Sequence, residues 1–296
     1  MNYSCLHTHT NFCDGKDSVE AMCDAAWEQG LSVLGFSAHA PLPEESGIVT
    51  NWHLPWERVE AYIEKVRNAQ KTWEGKLHIL LGLEIDYISG VCGPADHRFD
   101  SYDLDYRIGS VHYLTNQDVS YYFTVDGSGA EWQDGVKRLF SGDYEAAAHG
   151  YWQAVEEMVH QGGFDILGHI DLVKKNHSPW WNNQTPEGYN RDFLKVLQAL
   201  RGTSIVVEVN TGALNRGSMN ETYPSEAVLK AMRPLSIPVT INADAHHRSH
   251  LRGYYDRAID VLKASGYEEI VNFWGKNKNP PAKAEGPIGW VAEPLP

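Results

Sequence analysis

Seven short runs rich in β-forming residues alternate along this chain with longer runs whose apolar residues recur at helical spacing. Strands joined by helical crossovers pair in parallel, so the alternation restricts the chain to an α/β fold built on a parallel sheet. The strand runs lie at 3–7, 32–36, 78–83, 106–111, 164–167, 204–209 and 238–241. The first helix carries Val19, Met22, Cys23 and Ala26 on one face, with Ser18 placed to cap it. Further helices are expected at 56–73, 144–161, 186–200, 225–232 and 257–264, the last followed by an apolar run at 269–273. Residues 113–143 form an aromatic and polar excursion, and a connection of that length is in general a functional loop. No internal repeat or linker divides the 296 residues, so one domain is expected, ending in an extended Pro-rich strap from about residue 277.

The residues that follow these runs carry the chemistry. His7 and His9 end the first, His39 the second, Glu84 the third, His112 the fourth and His169 the fifth, while Asp244 and His246 end the seventh. Parallel strands in a barrel all finish at one mouth, where such barrels keep their active sites, so six strand ends would converge there. Imidazoles and carboxylates gathered together suit Zn, Mn or Fe ions. His7 and His9 are two apart in an extended segment and face the same side, so both can reach one ion; Asp244 and His246 repeat the arrangement. Glu84 can bridge two ions through its two oxygens, and ions about 3.5–4 Å apart can activate water and hold an in-line phosphoryl transition state. A lone strand-end histidine such as His112 is more often a hydrogen-bonded core or surface residue, and only the coincidence of the set favours coordination. His53, His78, His97, His149, His160 and His250 lack partners at ligand spacing and are read as structural or solvent-facing. His177 and His247 fall near the expected mouth but outside the clearest pattern.

Composition excludes several classes. Hydrophobic residues at 42% and charged residues at 22% fit an ordinary folded body. A formal charge of -14 opposes phosphate backbones and anionic membranes, so neither nucleic acid nor membrane partners are expected. No apolar run approaches a bilayer span and the amino-terminal MNYSCLHTHTNF lacks signal character, which points to the cytoplasm. The four cysteines form no CxxC pair and are read as reduced thiols. There is no G-x-G-x-x-G turn after a strand and no G-x-S-x-G elbow, which sets aside hydride and acyl transfer.

Six motifs in order, LHTHTNFCDG, GFSAHAP, GLEIDY, GSVHY, GHIDLV and NADAHH, resemble those of the polymerase and histidinol phosphatase (PHP) superfamily, with the nearest likeness to its histidinol-phosphatase branch. The resemblance runs from residue 5 to about residue 273. It implies a distorted seven-stranded (β/α)7 TIM-like barrel with a trinuclear metal site. By that resemblance His7, His9, Glu84 and Asp244 hold one ion, Glu84, His112 and His169 a second, and Asp14, His39 and His246 a third. Asp14 rests on the resemblance, because its Cys-Asp-Gly turn would equally cap the following helix. Glu84, Asp244 and His246 then sit at the catalytic centre, and the implied reaction is hydrolysis of L-histidinol phosphate in histidine biosynthesis, through attack of a metal-bridging hydroxide.

The phosphate also needs cationic donors, for which Arg216 and Arg248 in strand-end loops, Lys174 and Lys175 after GHIDLV, and the nearby His177 are the candidates. The two lysines stand where an arginine-containing phosphate contact is expected from the branch, and residues 118–143 look individual. A phosphoesterase for another small phosphate ester or a nucleotide is therefore the second reading, and a non-catalytic metal-binding module the third. Trp152, Trp180, Trp181 and Tyr223 are candidates for a pocket wall or for packing.

Overall fold

A computed structural model describes residues 3–176, 187–276 and 288–296; His177, Trp180, Trp181 and the strap region 277–287 lie outside the described residues. In chain order the strands are β1 (Tyr3–Cys5), β2 (Leu31–His39), β3 (His78–Asp86), β4 (Tyr106–Ser110), β5 (Tyr113–Thr115), β6 (Tyr122–Thr124), β7 (Ile166–Leu167), β8 (Val206–Asn210), β9 (Val239–Asn242), β10 (Glu269–Phe273) and β11 (Trp290–Pro294). Seven of them form one parallel sheet in the order β1-β2-β3-β4-β7-β8-β9. The sheet curls until its edges meet. The His9 amide donates to Ala245 O at 2.9 Å, the Ala245 amide to His7 O at 3.1 Å, and the Leu6 amide to Asn242 Oδ1 at 2.8 Å. The result is a nearly closed seven-stranded barrel: the alternation of strand and helix runs pointed to the parallel sheet, and the family resemblance implied its closure into a barrel.

The helices are α1 (Val19–Glu28), α2 (Val59–Thr72), α3 (Gly129–Phe140), α4 (Tyr144–Gln161), α5 (Glu187–Leu200), α6 (Gly212–Asn215), α7 (Glu226–Met232) and α8 (Tyr255–Ala264). Ser18 caps α1 by accepting from the Ala21 amide, and Ser128, Asp143 and Ser225 do the same for α3, α4 and α7. The buried faces of α1 and α2, including Met22, Cys23, Tyr62 and Val66, join the main core against the outside of the sheet. No helix among the described residues is long and apolar enough to cross a membrane.

Inside the barrel, at the starts of the strands, Leu6, Val33, Leu80, Tyr106, Ile108, Ile166 and Val206 form a separate cluster with Val271, Phe273 and Trp290. The last three come from the antiparallel hairpin β10–β11, which therefore closes the amino-terminal end of the barrel. Tyr106 fills the middle and donates to Leu6 O at 2.5 Å. Its ring explains two glycines, because a Cβ at Gly35 or Gly82 would lie 2.4 Å or 2.6 Å from Tyr106 atoms. The end of the chain is thus partly a strand that seals the floor, where an extended strap was expected.

Two further expectations change. β2 and β3 run past the expected ends at Phe36 and Leu83 to His39 and Asp86, so His39 and Glu84 belong to the strands and are register partners. Residues 113–143 are not a plain loop: β5 and β6 pair as a hairpin and α3 follows. Trp152 and Tyr223 are both almost fully buried, Trp152 against Phe193 and Tyr151, so Trp152 packs the core.

Candidate metal centre

Glu84 sits at the middle of the mouth with no solvent exposure. Its two oxygens face different imidazoles. Oε2 lies 3.0 Å from His7 Nε2, 3.0 Å from His39 Nδ1 and 3.5 Å from His9 Nε2. Oε1 lies 3.0 Å from His169 Nε2 and 3.6 Å from His112 Nε2, and accepts from Ser110 Oγ at 2.7 Å. Asp244 Oδ1 adds a second acid, 3.3 Å from His9 Nε2 and 3.7 Å from His7 Nε2. Asp14 completes the rim, with its oxygens 3.1 Å from His246 Nε2, 3.7 Å from His9 Nδ1 and 3.8 Å from His39 Nε2. All nine residues expected as ligands are therefore in one cluster. Among the described residues, donor atoms within 4.8 Å of one another form the groups His7–His9–Asp244, His7–Glu84–His169, His9–Asp14–His39–His246 and His39–Asp86–His112.

Whether this cluster fits cations is tested by its polar atoms. Buried polar groups ordinarily find hydrogen-bond partners. Here His7 Nε2, His9 Nε2, His39 Nδ1 and Glu84 Oε2 are buried, face one another, and make no hydrogen bond. A carboxylate oxygen ringed by imidazole nitrogens at these distances is a donor set for divalent ions. Asp244 adds a backbone outlier at the same place, with φ at 47°, a conformation that persists only where surrounding contacts enforce it.

Two carboxylates that the motifs did not single out hold the cluster from behind. Glu208, on β8 and fully buried, accepts from His7 Nδ1 at 2.9 Å, the His169 amide at 2.8 Å, Asn210 Nδ2 at 2.7 Å and Asn242 Nδ2 at 3.0 Å. Asp86, at the end of β3, accepts from His112 Nδ1 at 2.9 Å and from the His112 amide at 3.0 Å. Each holds Nδ1–H of its imidazole and aims Nε2 at Glu84, so that Nε2 becomes the donor atom once an ion displaces its proton. Both were legible in principle: Asp86 shares a strand face with Glu84 two residues before it, and Glu208 is a lone charge within an apolar strand. His53 is structural, with Nδ1 2.6 Å from Ala40 O and Nε2 3.2 Å from Tyr113 Oη.

The protonation pattern follows from burial against these neighbours. Burial lowers His9 to about 3, reinforced by His246 and His39, so it is a neutral donor. Burial also disfavours charge on His112, but Asp86 and Glu84 outweigh it and raise the imidazole to about 10. His7 likewise is raised well above its ordinary value because Glu208, Glu84 and Asp244 overcome burial. Burial would raise Glu84, yet His7, His39 and His112 hold it well below the usual carboxylate range.

Over the cluster lies a cleft of about 370 Å³ lined by, among others, Asp14, Trp52, Asp126, Lys175, Arg216 and His246. Arg216 reaches it with one guanidinium nitrogen 3.0 Å from Asp244 Oδ2 and another 3.4 Å from His246 Nδ1. Lys175 lines it as well, but donates to Asp126 O at 2.5 Å. The other expected phosphate donors lie apart. Lys174 is buried, donating to Thr222 O at 2.7 Å and paired with Asp171 at 3.0 Å, because its side chain turns into the core. Arg248 is drawn toward Asp17 at 3.7 Å, and His247 caps the same turn through the Ser249 amide. A larger surface hollow of about 960 Å³, bordered by Trp27, His78 and Trp274, lies at the opposite end of the barrel, away from the cluster.

Known proteins share this architecture. A Deinococcus radiodurans protein designated a probable histidinol-phosphatase is 28% identical over 261 residues, 88% of this chain and 92% of that one. The histidinol-phosphatase of Bacillus subtilis is 26% identical over 269 residues, 86% of this chain and 97% of its own. Among solved structures, the Lactococcus lactis histidinol phosphate phosphatase, complexed with zinc, L-histidinol and phosphate, superposes with a TM-score of 0.67 at 21% identity, covering 92% of this chain and 97% of that one. A Listeria monocytogenes structure, provisionally designated a histidinol phosphatase, gives a TM-score of 0.75 at 24% identity, covering 86% and 99%. The profile of the PHP domain matches residues 6–212, and with its motifs at the mouth of a nearly closed barrel, this chain belongs to the PHP domain family.

Proposed function

We propose that this chain hydrolyses L-histidinol phosphate to L-histidinol and phosphate, as a cytoplasmic enzyme of histidine biosynthesis that acts as a single domain and uses two or three divalent ions of the Zn, Mn or Fe kind. One observation carries the phosphatase reading: a fully buried carboxylate whose two oxygens face two separate sets of imidazoles. The substrate is supported by relatives that bear the histidinol-phosphatase name along nearly their whole lengths.

His7, His9, Glu84 and Asp244 would hold one ion, Glu84, His112 and His169 a second, and Asp14, His39 and His246 a third. Ions held there supply a nucleophilic water at neutral pH and charge neutralisation at the phosphoryl oxygens. The chain contributes the rest. Glu208 and Asp86 hold Nδ1–H of His7 and His112 and keep Nε2 turned inward, where it would donate to an ion on losing its proton. Arg216 lines the cleft beside Asp244 and His246, where its planar fork suits a phosphoryl group. The test is phosphate release from L-histidinol phosphate beside a panel of sugar, amino-acid and nucleotide phosphates, with metal content measured on the same sample. Preference for histidinol phosphate with two or three ions per chain is expected. A different preferred ester on a metal-loaded protein would discard the substrate, and a protein that binds no metal would undo the whole reading.

A further inference from the structure

We propose that Asp126 is the carboxylate that receives the cationic amino group of the substrate, so that the cleft selects phosphate esters of amino alcohols. The proposal rests on the reaction put forward above and names how its substrate is told from other esters. The cleft is lined by four acids, and three of them, Asp14, Glu84 and Asp244, belong to the ligand groups of the cluster. Asp126 does not. It follows the β5–β6 hairpin, and its side chain is 33% exposed on the cleft wall that also carries His112 and His169.

Its backbone is held with unusual care for a loop. Asn176 Nδ2 donates to Val125 O at 2.8 Å and to Gly127 O at 3.1 Å. Lys175 Nζ donates to Asp126 O at 2.5 Å, and the Val125 amide to His112 O at 2.8 Å. Four ties on three residues fix the carboxylate before any ligand arrives, which is how a recognition group retains its binding energy. Among the described residues only Lys175 bonds to the carboxylate itself, at 3.3 Å through Oδ2, so Oδ1 is left for a donor from the cleft. Burial would raise this acid, but His112, Lys175 and His169 together hold it below its ordinary value, and it is ionised at neutral pH.

The charges then sort the two ends of one small molecule. Phosphate belongs with the cluster and Arg216, and an ammonium a few bonds away meets the one acid in the cleft that the cluster does not use. An ammonium on a carboxylate makes a charge-assisted hydrogen bond, roughly twice as strong as a neutral one. It also gives Lys175 a different duty from phosphate binding, as the tie that holds Asp126 in place.

The experiment compares L-histidinol phosphate with its deamino analogue, 3-(imidazol-4-yl)propyl phosphate, on metal-loaded wild type, Asp126→Asn and Asp126→Glu. Wild type should prefer the amine-bearing ester. In Asp126→Asn, kcat/KM for that ester should fall about 10- to 100-fold, chiefly through KM, while the analogue stays within about threefold. Asp126→Glu should recover part of the loss, and metal content should not move. Equal losses on both esters would make Asp126 only a counter-ion for Lys175 and overturn the proposal, as would no loss on either. Turnover of neither ester by wild type would instead sink the reaction, and calorimetry with L-histidinol then decides Asp126. Binding lost in Asp126→Asn upholds the role; equal binding in both proteins, or none in wild type, ends it.

Discussion

Glu84→Gln keeps the shape of the side chain and removes the charge that lets its oxygens serve two sets of imidazoles. Metal content and phosphate release should both fall by orders of magnitude, while the circular dichroism of the barrel persists; near-normal metal content would remove Glu84 from the bridging position. Glu208→Gln and Asp86→Asn act one step further out. Each frees a ring whose Nδ1–H is now fixed, at 2.9 Å in both cases, and metal affinity measured by chelator competition should weaken about 10- to 100-fold. Arg216→Gln should raise KM, and its effect on metal has a definite sign. Arg216 pairs with Asp244 at 3.0 Å, so its loss leaves Asp244 a stronger donor and metal should be held at least as well. A fall in metal content would make Arg216 a support for Asp244 and not a phosphate contact. At this scale the sequence was most legible where chemistry forced a residue type onto a strand end. It was least legible for Asp126 and Lys174, since the same charged side chain can face a cleft or fold into a core ion pair, and only the path of the chain decides.

The strand and helix runs were readable because their periodicities are long enough to register, and the departures have local causes. β5 and β6 are three residues each, too short for an alternation to stand out, and α3 contains Gly129 and Gly135, residues that weaken a helical signal. Gly135 is there because a Cβ would come within 2.2 Å of the Phe123 ring on β6, so the helix packs on the hairpin by close approach. The hairpin β10–β11 was half seen, as an apolar run without its partner. Its role as the barrel floor is a packing statement: Trp290 is 1% exposed and meets Phe273 and the strand starts from within. Trp290→Ala should cost about 3–5 kcal/mol in denaturant unfolding. The mouth is at the other end, so a loss of stability with metal content per folded chain unchanged is expected. A loss below about 1 kcal/mol would mean that the floor does not need the ring.

For the molecule as a whole, binding of ions and binding of protons compete for the same atoms, and the sign of that competition can be worked out. Without metal, His112 is raised to about 10 and His7 is raised well above its ordinary value, so both carry protons at neutral pH. A group raised in the folded state contributes stability that is complete below its unfolded value, about 6.5 for histidine, and is lost as pH rises through the folded value. Glu84 and Asp244, both held well below the carboxylate range, contribute stability that is present above about 4.5 and is lost as pH falls. His9, lowered to about 3, costs stability as pH falls below about 6.5, so the chelated protein should be most stable at about pH 6.5 on account of this cluster and should weaken both toward acid and toward pH 10. Metal binding runs the other way, because each ion must displace those protons, and its stabilising effect grows as pH rises. The quantity to measure is the difference in Tm between metal-loaded and chelated protein at pH 6, 7.5 and 9, which cancels the general repulsion of a chain carrying a charge of -14. That difference should widen steadily with pH, and calorimetric titration at pH 7.5 in buffers of different ionisation enthalpy should detect proton release on metal binding. A difference that narrows from pH 6 to 9, or binding without proton release, would mean that the imidazoles of His7 and His112 do not give up their protons to the ions, and the two carboxylates behind them would need another purpose.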